Sequence, residues 1–326
     1  MNKVEQSWYQ GFSFLTLLLL PLAGLFWLIS TLRRLGYRLG FTKAYHSDVP
    51  VIVVGNISVG GNGKTPFVIW LAQYLQQQGL NVAVISRGYG GSAEEYPLIV
   101  DGSISTKQAG DEPVLIQRRL GCPVVVGPDR KANITLLNAH YNVDVIISDD
   151  GMQHYKMGRQ IECCIVDSQR RFGNGLLIPA GPLRETQKRL NSVDLVIENG
   201  GTNLFNYQLQ PSALLNVATG KSTVNSITHG HAVSAIGNPK RFESTLQATG
   251  IELLSTAHFR DHYAYTLSDF EKYNDEFVFM TEKDAVKCRD FAKPNWYFLP
   301  VDAKPSDAVI NKLHLLLKEK GILNGL

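Results

Sequence analysis

Apolar and polar positions divide the chain into an apolar opening and an alternating remainder. No charged residue occurs from Gln6 to Leu32, and residues 11–30 are almost entirely apolar. After Asp48, short apolar runs of strand length alternate with segments in which apolar residues recur at helical spacing. This alternation is typical of βαβ units, whose helices connect the parallel strands of one sheet. The pattern therefore predicts an α/β protein that follows an apolar N-terminal helix.

The alternating elements predict two α/β domains. The first is a doubly wound, mostly parallel sheet with strands at 49–54, 82–86, 124–126, 143–148 and 163–166, and helices at 64–78, 114–120 and 131–141. After a polar stretch near 200–215, the second has strands at 232–236, 277–280 and 296–299, and helices at 241–249 and 308–320. The predicted divisions are 1–45 for the apolar helix and its basic flank, 46–205 for the first domain and 206–326 for the smaller domain.

The apolar opening has the length of a membrane-associated helix. As a helix, residues 11–30 would measure about 30 Å, the hydrocarbon thickness of a bilayer. A basic cluster at 33–43 follows, where a secretory signal peptide would have a cleavage site of small residues. Because Pro21 interrupts the helical hydrogen bonds, both a span and a shallow insertion remain open. In either geometry the basic cluster places the next domain on the cytoplasmic side.

Composition and charge narrow the function classes. With 19% charged and 44% hydrophobic residues, the chain is not disordered. Its net charge of +3 is too small to predict binding to nucleic acid, and no such partner is expected. The four cysteines lack the spacing of metal ligands and are predicted core residues of a protein in a reducing compartment: Cys122, Cys163, Cys164 and Cys288.

A glycine-rich segment between the first predicted strand and helix carries the most specific signal. Its glycines allow backbone amides to approach phosphate oxygens, its lysine supplies positive charge, and its threonine hydroxyl can bind Mg²⁺. One residue departs from the strict pattern, because serine stands at the first glycine position. The segment predicts a P-loop that binds a nucleoside triphosphate, and consists of Ser58, Val59, Gly60, Gly61, Asn62, Gly63, Lys64 and Thr65.

Polar residues also follow other predicted strands, at the edge where parallel sheets bind ligands. Asp149 and Asp150 end one strand, and either carboxylate is suited to hold the metal, although two turn-forming aspartates are the alternative. Further polar segments lie at 86–90, 110–113, 127–130 and 181–185. Each of them fits an ordinary turn. Together they offer the arginines and carboxylates that phosphoryl transfer uses.

Seven motifs follow one another along the chain: GNISVGGNGKTP, SRGYGG, GDEP, GPDRKAN, DDGMQH, GPLRE and FRDHYAYT. With the apolar opening, this set closely resembles the tetraacyldisaccharide 4'-kinases of lipid A biosynthesis over nearly the whole chain. The resemblance implies that ATP phosphorylates the 4'-hydroxyl of a tetra-acylated glucosamine disaccharide 1-phosphate. It places the protein at the cytoplasmic face of a Gram-negative inner membrane. There the partners are this membrane-embedded glycolipid and the lipids that contact residues 11–30. The resemblance also implies two α/β/α sandwich domains, with 46–205 as the P-loop ATP-binding kinase domain and 206–326 as the domain that closes over it. A monomer is expected.

The resemblance implies roles for individual residues. Asp111 and His262 resemble the catalytic pair that deprotonates the sugar hydroxyl. Lys64 and Thr65 resemble the contacts to the β- and γ-phosphates and to the metal. The other expected site residues are the acidic pair Asp149 and Asp150 beside Mg²⁺, the metal-side Glu185, the phosphate-side cations Arg130 and Arg184, and the lining residues Gln153 and His154.

Two departures from the family pattern and one unassigned segment accompany these roles. Met152 stands where the family usually has phenylalanine, and Tyr263 stands where a second histidine is common, which singles out His262. The run 281–287 is either a helix start or a contact to the 1-phosphate of the substrate.

Two alternative functions remain open from the sequence. A membrane-associated switch or partitioning ATPase uses a similar loop, but most such proteins have lysine at the position of Val59. A soluble small-molecule kinase with an incidental apolar tail is the other. Transfer of phosphate to a lipid acceptor distinguishes the kinase from the ATPase, and the effect of deleting residues 1–32 distinguishes the two kinases.

Overall fold

A computed structural model describes residues 3–11, 13–222 and 227–323. In these ranges the chain forms two β-sheets, each with helices packed on both faces, which confirms the α/β class. Some residues of the predicted N-terminal apolar segment and of the second domain lie outside the described residues: 1, 2, 12, 223–226 and 324–326.

The strands fall close to the predicted positions in the first domain, and several unpredicted strands accompany them. In chain order they are β1 Val51–Gly55, β2 Val82–Ser86, β3 Leu98–Val100, β4 Val124–Val126, β5 Val145–Asp149, β6 Ile161–Asp167, β7 Leu195–Asn199, β8 Asn206–Pro211, β9 Leu215–Asn216, β10 His229–Ser234, β11 Glu252–His258, β12 Val278–Thr281, β13 Trp296–Leu299 and β14 Val301–Pro305.

The helices connect these strands. In chain order they are α1 Lys3–Ser7, α2 Phe14–Arg38, α3 Lys64–Gln77, α4 Thr106–Ala109, α5 Asp111–Leu120, α6 Arg130–His140, α7 Pro239–Ala248, α8 Glu282–Cys288 and α9 Asp307–Glu319. Three 3-10 helices lie at Gln187–Ser192, Leu267–Tyr273 and Arg289–Phe291.

The larger sheet has the order β14-β8-β7-β6-β1-β5-β2-β4-β3, and the smaller has the order β11-β10-β12-β13-β9. In the larger sheet the strands from β8 to β4 are parallel, while β14 and β3 pair antiparallel at the two edges. The predicted mostly parallel, doubly wound sheet is therefore confirmed. Its glycine-rich loop follows β1, near the centre of the sheet.

Alternating side chains of the central strands fill two cores, because successive residues of a strand point to opposite faces. In β6, Cys163 packs in the core beneath α3 and α5, while Cys164 packs in the core beneath α2 and α6. All four cysteines are buried, as predicted. Burial raises the pKa of the Cys164 thiol to about 12, which keeps it protonated and unreactive.

The structure differs from the predicted division at 205/206. Strand β8 pairs with β7, and β14 pairs with β8, so both belong to the larger sheet. Helix α9 packs there too, with Val309 and Leu313 buried in its core. The chain thus leaves the first domain after β8, forms the smaller sheet, and returns through β14. The sequence does not signal this return, because β8 and the edge strand β14 are polar, half-exposed strands without an apolar run.

The apolar opening forms helix α2, which is long and apolar enough to cross a membrane by length and composition, with a mean hydropathy of 2.1. Ser13 caps its first turn by accepting a hydrogen bond from the Thr16 amide at 3.2 Å. Ala23 is buried in the core of the first domain, Leu19 and Phe26 pack against the same core, and Arg34 near the end of the helix donates to Ser192 at 3.1 Å. The helix therefore contacts the domain along much of its length.

Candidate active site

The glycine-rich loop connects β1 to α3, in the predicted strand, loop and helix order. Gly60 and Gly63 have φ angles of +109° and +79°, a backbone region that favours glycine. A Cβ atom on Gly63 would lie 2.7 Å from the Tyr207 hydroxyl, so a larger residue would not fit. Helix α3 begins directly after the loop, at Lys64, with Thr65 as its second residue. Its first-turn amides are therefore placed to bind an anion.

Two side chains outside the loop bind its carbonyl oxygens. Asn199, at the end of β7, donates to the carbonyl of Asn62 at 3.0 Å, and the Tyr207 hydroxyl in β8 donates to the carbonyl of Gly63 at 2.6 Å. Arg241 of the smaller domain in turn donates to the Asn199 amide oxygen at 3.1 Å. These residues were not among those predicted from the sequence, although the apolar run that ends at Asn199 carries the same strand-end signal as the acidic pair.

The two aspartates after β5 have opposite environments. Asp150 adopts a φ of +52° and lies 3.6 Å from the Lys64 ammonium, while Arg184 donates to both of its oxygens at 3.1 and 2.9 Å. Burial favours the neutral acid, but the charges of Lys64 and Arg184 outweigh it and lower the pKa of Asp150 to about 2. Asp150 is therefore an ionised partner for two cations.

Asp149 is a buried carboxylate without a partner. Only 1% of the residue is exposed, and neither of its carboxylate oxygens accepts a hydrogen bond within the described residues. Burial raises its pKa well above the usual range, and the charge of Glu112 acts in the same direction. Buried Arg130 donates to the Asp149 backbone carbonyl at 3.4 Å and to the Gly127 carbonyl at 2.8 Å. This orphaned carboxylate is suited to a cation.

The remaining expected residues cluster beside Asp150. Gln153 donates to the carbonyl of Asn56 and to Glu185, both at 2.9 Å. The other Glu185 oxygen accepts a hydrogen bond from Tyr155, so both oxygens of this expected metal-side residue have protein partners. Burial and the charges of nearby arginines lower the pKa of His154 to about 4, which leaves its imidazole neutral.

Asp111 of the first domain contacts His262 of the smaller domain. Asp111 is the first residue of α5 and is 4% exposed, whereas His262 follows β11 with a φ of +59°. The imidazole Nδ1 lies 3.0 Å from each Asp111 oxygen. Burial raises the pKa of Asp111, but the His262 hydrogen bond and the charge of Lys283 outweigh it and lower that pKa. Burial lowers the pKa of His262, but the hydrogen bond to Asp111 outweighs burial, so the pKa of His262 is raised.

These features lie at one edge of the larger sheet. The ring of Tyr89, which follows β2, contacts the His262 imidazole with centroids 5.0 Å apart, and the Val59 amide donates to the carbonyl of Pro182 at 2.7 Å. Open parallel sheets bind ligands at the carboxyl ends of their strands. Here that edge combines cations for phosphate oxygens with an acid–imidazole pair suited to a hydroxyl group. The fold and site therefore define a nucleotide-dependent phosphotransferase of the kinase type.

Comparison with known proteins identifies the family. A family model described as tetraacyldisaccharide-1-P 4'-kinase matches residues 15–318. The chain belongs to this family and is a kinase, which confirms the resemblance found in its motifs.

The relatives match over almost the full length. The chain is 67% identical to a tetraacyldisaccharide 4'-kinase of Pseudoalteromonas translucida (strain TAC 125), with 100% of both chains covered. It is 50% identical to the enzyme of that name from Psychromonas ingrahamii, over 96% of this chain and 98% of the relative. A crystal structure of LpxK from Aquifex aeolicus, described as an "apo" form in complex with ATP, superposes with a TM-score of 0.79 at 30% identity, covering 94% of this chain and 99% of that one.

Proposed function

We propose that this kinase transfers the γ-phosphoryl group of ATP to the 4'-hydroxyl of a tetra-acylated glucosamine disaccharide 1-phosphate. Family membership supports the substrate and reaction, and the ATP complex of the Aquifex aeolicus protein supports the nucleotide. The observation that carries the mechanism is the 3.0 Å contact between Asp111 and His262, at the sheet edge that holds Lys64. A switch ATPase does not phosphorylate a hydroxyl acceptor, so it has no need of such a pair.

The mechanism follows from these contacts. The loop amides, Lys64 and Arg184 bind the phosphate oxygens and offset their charge. The Asp111–His262 pair accepts the proton of the 4'-hydroxyl, because an ionised carboxylate holds the neighbouring imidazole oriented for proton transfer. The hydroxyl oxygen then bonds to the γ-phosphorus as the bond from that phosphorus to the β-phosphate oxygen breaks. ADP is the leaving group.

The residues fit the Mg²⁺ that we propose as the cofactor. The described part of the chain contains no group of three or more His, Cys, Asp or Glu side chains arranged to hold a metal. Mg²⁺ in kinases needs only one or two carboxylates, since phosphates and water complete its shell. The unpartnered oxygens of Asp149 and the Thr65 hydroxyl would hold it. When bound, it neutralises charge on the phosphate oxygens.

The geometry of α2 supports an interfacial position on the cytoplasmic face of the inner membrane. One side of the helix packs on the first domain, and the opposite side is an apolar stripe that is 54 to 64% exposed: Leu18, Leu22, Leu25, Ile29 and Leu32. A helix held along a folded domain lies in the interface rather than across the bilayer. The basic residues in its last two turns, and Lys43 beyond it, meet anionic headgroups. The acyl chains of the substrate remain in the same membrane.

The double variant Leu18→Glu/Leu25→Glu tests this position. We expect it to lose most binding to vesicles that contain anionic lipid, because two charges enter the exposed stripe while the packed face is unchanged. Vesicle flotation measures the bound fraction. Leu315→Glu/Leu254→Glu, two exposed leucines away from α2, is the matched control. Unchanged flotation of the α2 variant would contradict the interfacial position.

Tyr207→Phe tests the support of the glycine-rich loop. The variant removes one hydrogen bond to the Gly63 carbonyl and keeps the packed ring. A net loss of about 1 kcal/mol predicts a rise of about fivefold in the KM for ATP, with little change in kcat. Steady-state kinetics at varied ATP measure this, with Tyr297→Phe in the smaller sheet as the control. An unchanged KM would mean that the loop keeps its shape without this bond.

The proposed function itself is tested with labelled ATP and the purified disaccharide 1-phosphate lipid in detergent. We expect label to enter the lipid at the 4'-position, and hydrolysis without the acceptor to be slow. Rapid hydrolysis without lipid, with association of chains on ATP, would favour the switch ATPase. Transfer to a sugar that lacks acyl chains, equal in rate to transfer to the lipid, would favour a soluble small-molecule kinase.

A further inference from the structure

Helix α8 brings an additional cation to the Asp111–His262 pair. The Lys283 ammonium lies 3.1 Å from a Glu112 oxygen, 3.2 Å from an Asp261 oxygen and 3.4 Å from Nε2 of His262. It is also 3.8 Å from Asp111. The run 281–287, which contains this lysine, had two open interpretations from the sequence. The structure confirms the helix start, and it places the second residue of the helix at the pair.

The position of Lys283 is fixed at the start of α8. The Thr281 hydroxyl caps the helix by accepting from the Asp284 amide at 3.2 Å. Asp284 is fully buried, accepts from the Ala235 amide at 3.1 Å, and pairs with Lys287 at 2.8 Å. These contacts tie the first turn of α8 to the residue that directly follows strand β10. The Lys283 side chain, 16% exposed, is therefore not a freely moving surface lysine.

A second ion pair aligns α8 with α5, the helix that begins at Asp111. Glu282 accepts two hydrogen bonds from Arg119, at 3.1 and 2.9 Å, and Arg119 also pairs with Asp302 of β14. Arg119 lies two turns along α5 from Asp111. The two helices are thus joined at both ends of their contact, which sets the distance from Lys283 to the pair.

The chemistry of the ammonium group restricts the state of the imidazole. A lysine ammonium donates hydrogen bonds and accepts none, so Nε2 of His262 is the acceptor in this contact. The imidazole proton then resides on Nδ1, which donates to Asp111. A protonated imidazole would direct its Nε2–H at the ammonium group 3.4 Å away. The contact therefore favours the neutral tautomer that carries its proton on Nδ1.

We propose that Lys283 is a positioning residue for the kinase reaction, which holds Asp111 ionised and His262 in the neutral Nδ1–H tautomer, the state in which the pair accepts the hydroxyl proton. This inference rests on the proposed role of the pair. The other groups that face the pair are Glu112 from α5, Asp261 from the His262 loop, Lys287 from α8 and the Tyr89 ring.

The sign of the expected pH effect follows from charge. Burial raises the pKa of Asp111 and lowers that of His262, whereas the charge of Lys283 lowers both. Removing that charge raises both pKa values. The pair must be unprotonated to accept a proton, so the acidic limb of the kcat profile moves to higher pH. An ammonium group at this distance shifts a pKa by about one unit or more.

The experiment compares pH profiles of lipid phosphorylation for three variants. For Lys283→Met we expect the acidic limb of the kcat profile to move up by about one pH unit and the KM for ATP to be unchanged. At pH values below the shifted limb, kcat should be roughly tenfold lower than that of the wild type. Lys283→Arg keeps the charge and should restore most of the profile. Lys318→Met, an exposed lysine of α9, is the matched control and should match the wild type. If a thermal unfolding measurement shows that Lys283→Met is not folded, the same result is expected for Lys283→Gln.

Three results would overturn the inference while the proposed function stands. They are an unshifted limb in a folded Lys283→Met, a loss that is equal at every pH, and a loss that is as large in Lys283→Arg as in Lys283→Met. Failure of the proposed function is visible separately. In that case the wild type does not phosphorylate the lipid, or Asp111→Asn keeps wild-type turnover.

Discussion

Lys64→Ala is expected to lower kcat/KM for phosphoryl transfer by about 10³-fold or more. Lys64 is the first residue of α3, and its ammonium group is the positive charge of the glycine-rich loop itself. Its charge offsets the negative charge of the phosphate oxygens in the transition state, where no other group of the loop carries positive charge. In the free protein the substitution also removes one of the two ion pairs of Asp150 and leaves the pair with Arg184.

The measurement is lipid phosphorylation over a range of ATP concentrations. Lys64→Arg keeps the charge, but its larger planar group does not fit the same position, so only partial activity is expected. Lys107→Ala, an exposed lysine on α4 of the same domain, is the control. An effect confined to the KM for the lipid would contradict a role at the phosphates of ATP.

The central strands were predictable because a parallel strand that is buried on both faces has a continuous apolar run. Strands β1, β2, β4, β5 and β6 all carry such runs, and each lies within three residues of its predicted position. The route of the chain was not predictable. Residues 206–211 and 301–305 pair with each other across 89 intervening positions, and neither segment has an apolar run. Such polar strands are stabilised by partners that only the folded chain supplies.

Much of the candidate site follows from the position of polar residues after strands. This rule gathers Lys64, Asp150 and Arg184, which the structure places within ion-pair distance of one another through Asp150. It does not distinguish Asp149 from Asp150, because their difference arises from the left-handed backbone at Asp150 and the burial of its neighbour. It also does not assign Lys283, whose partner Glu112 is 171 residues away. That contact depends on the packing of α8 against α5.

Asp111→Asn is expected to lower kcat by about 10²- to 10⁴-fold and to leave the KM for ATP near its wild-type value. The asparagine side chain lacks the negative charge that orients the imidazole. Its NH₂ group can also turn toward Nδ1 and select the opposite tautomer. Asp111 has no contact with the glycine-rich loop among its hydrogen bonds and ion pairs in the described residues. Asp275→Asn, an exposed aspartate of the smaller domain, is the control.

Comparison with His262→Gln then decides whether the two residues act together. If they share one proton-accepting task, removal of either disables the pair, and the double variant is slower than Asp111→Asn by only a few-fold. Effects that multiply would show two separate tasks and contradict the mechanism of a pair. The geometry favours the first outcome, because Nδ1 of His262 bonds to both oxygens of Asp111. Neither side chain can lose its partner and keep its own orientation and charge state.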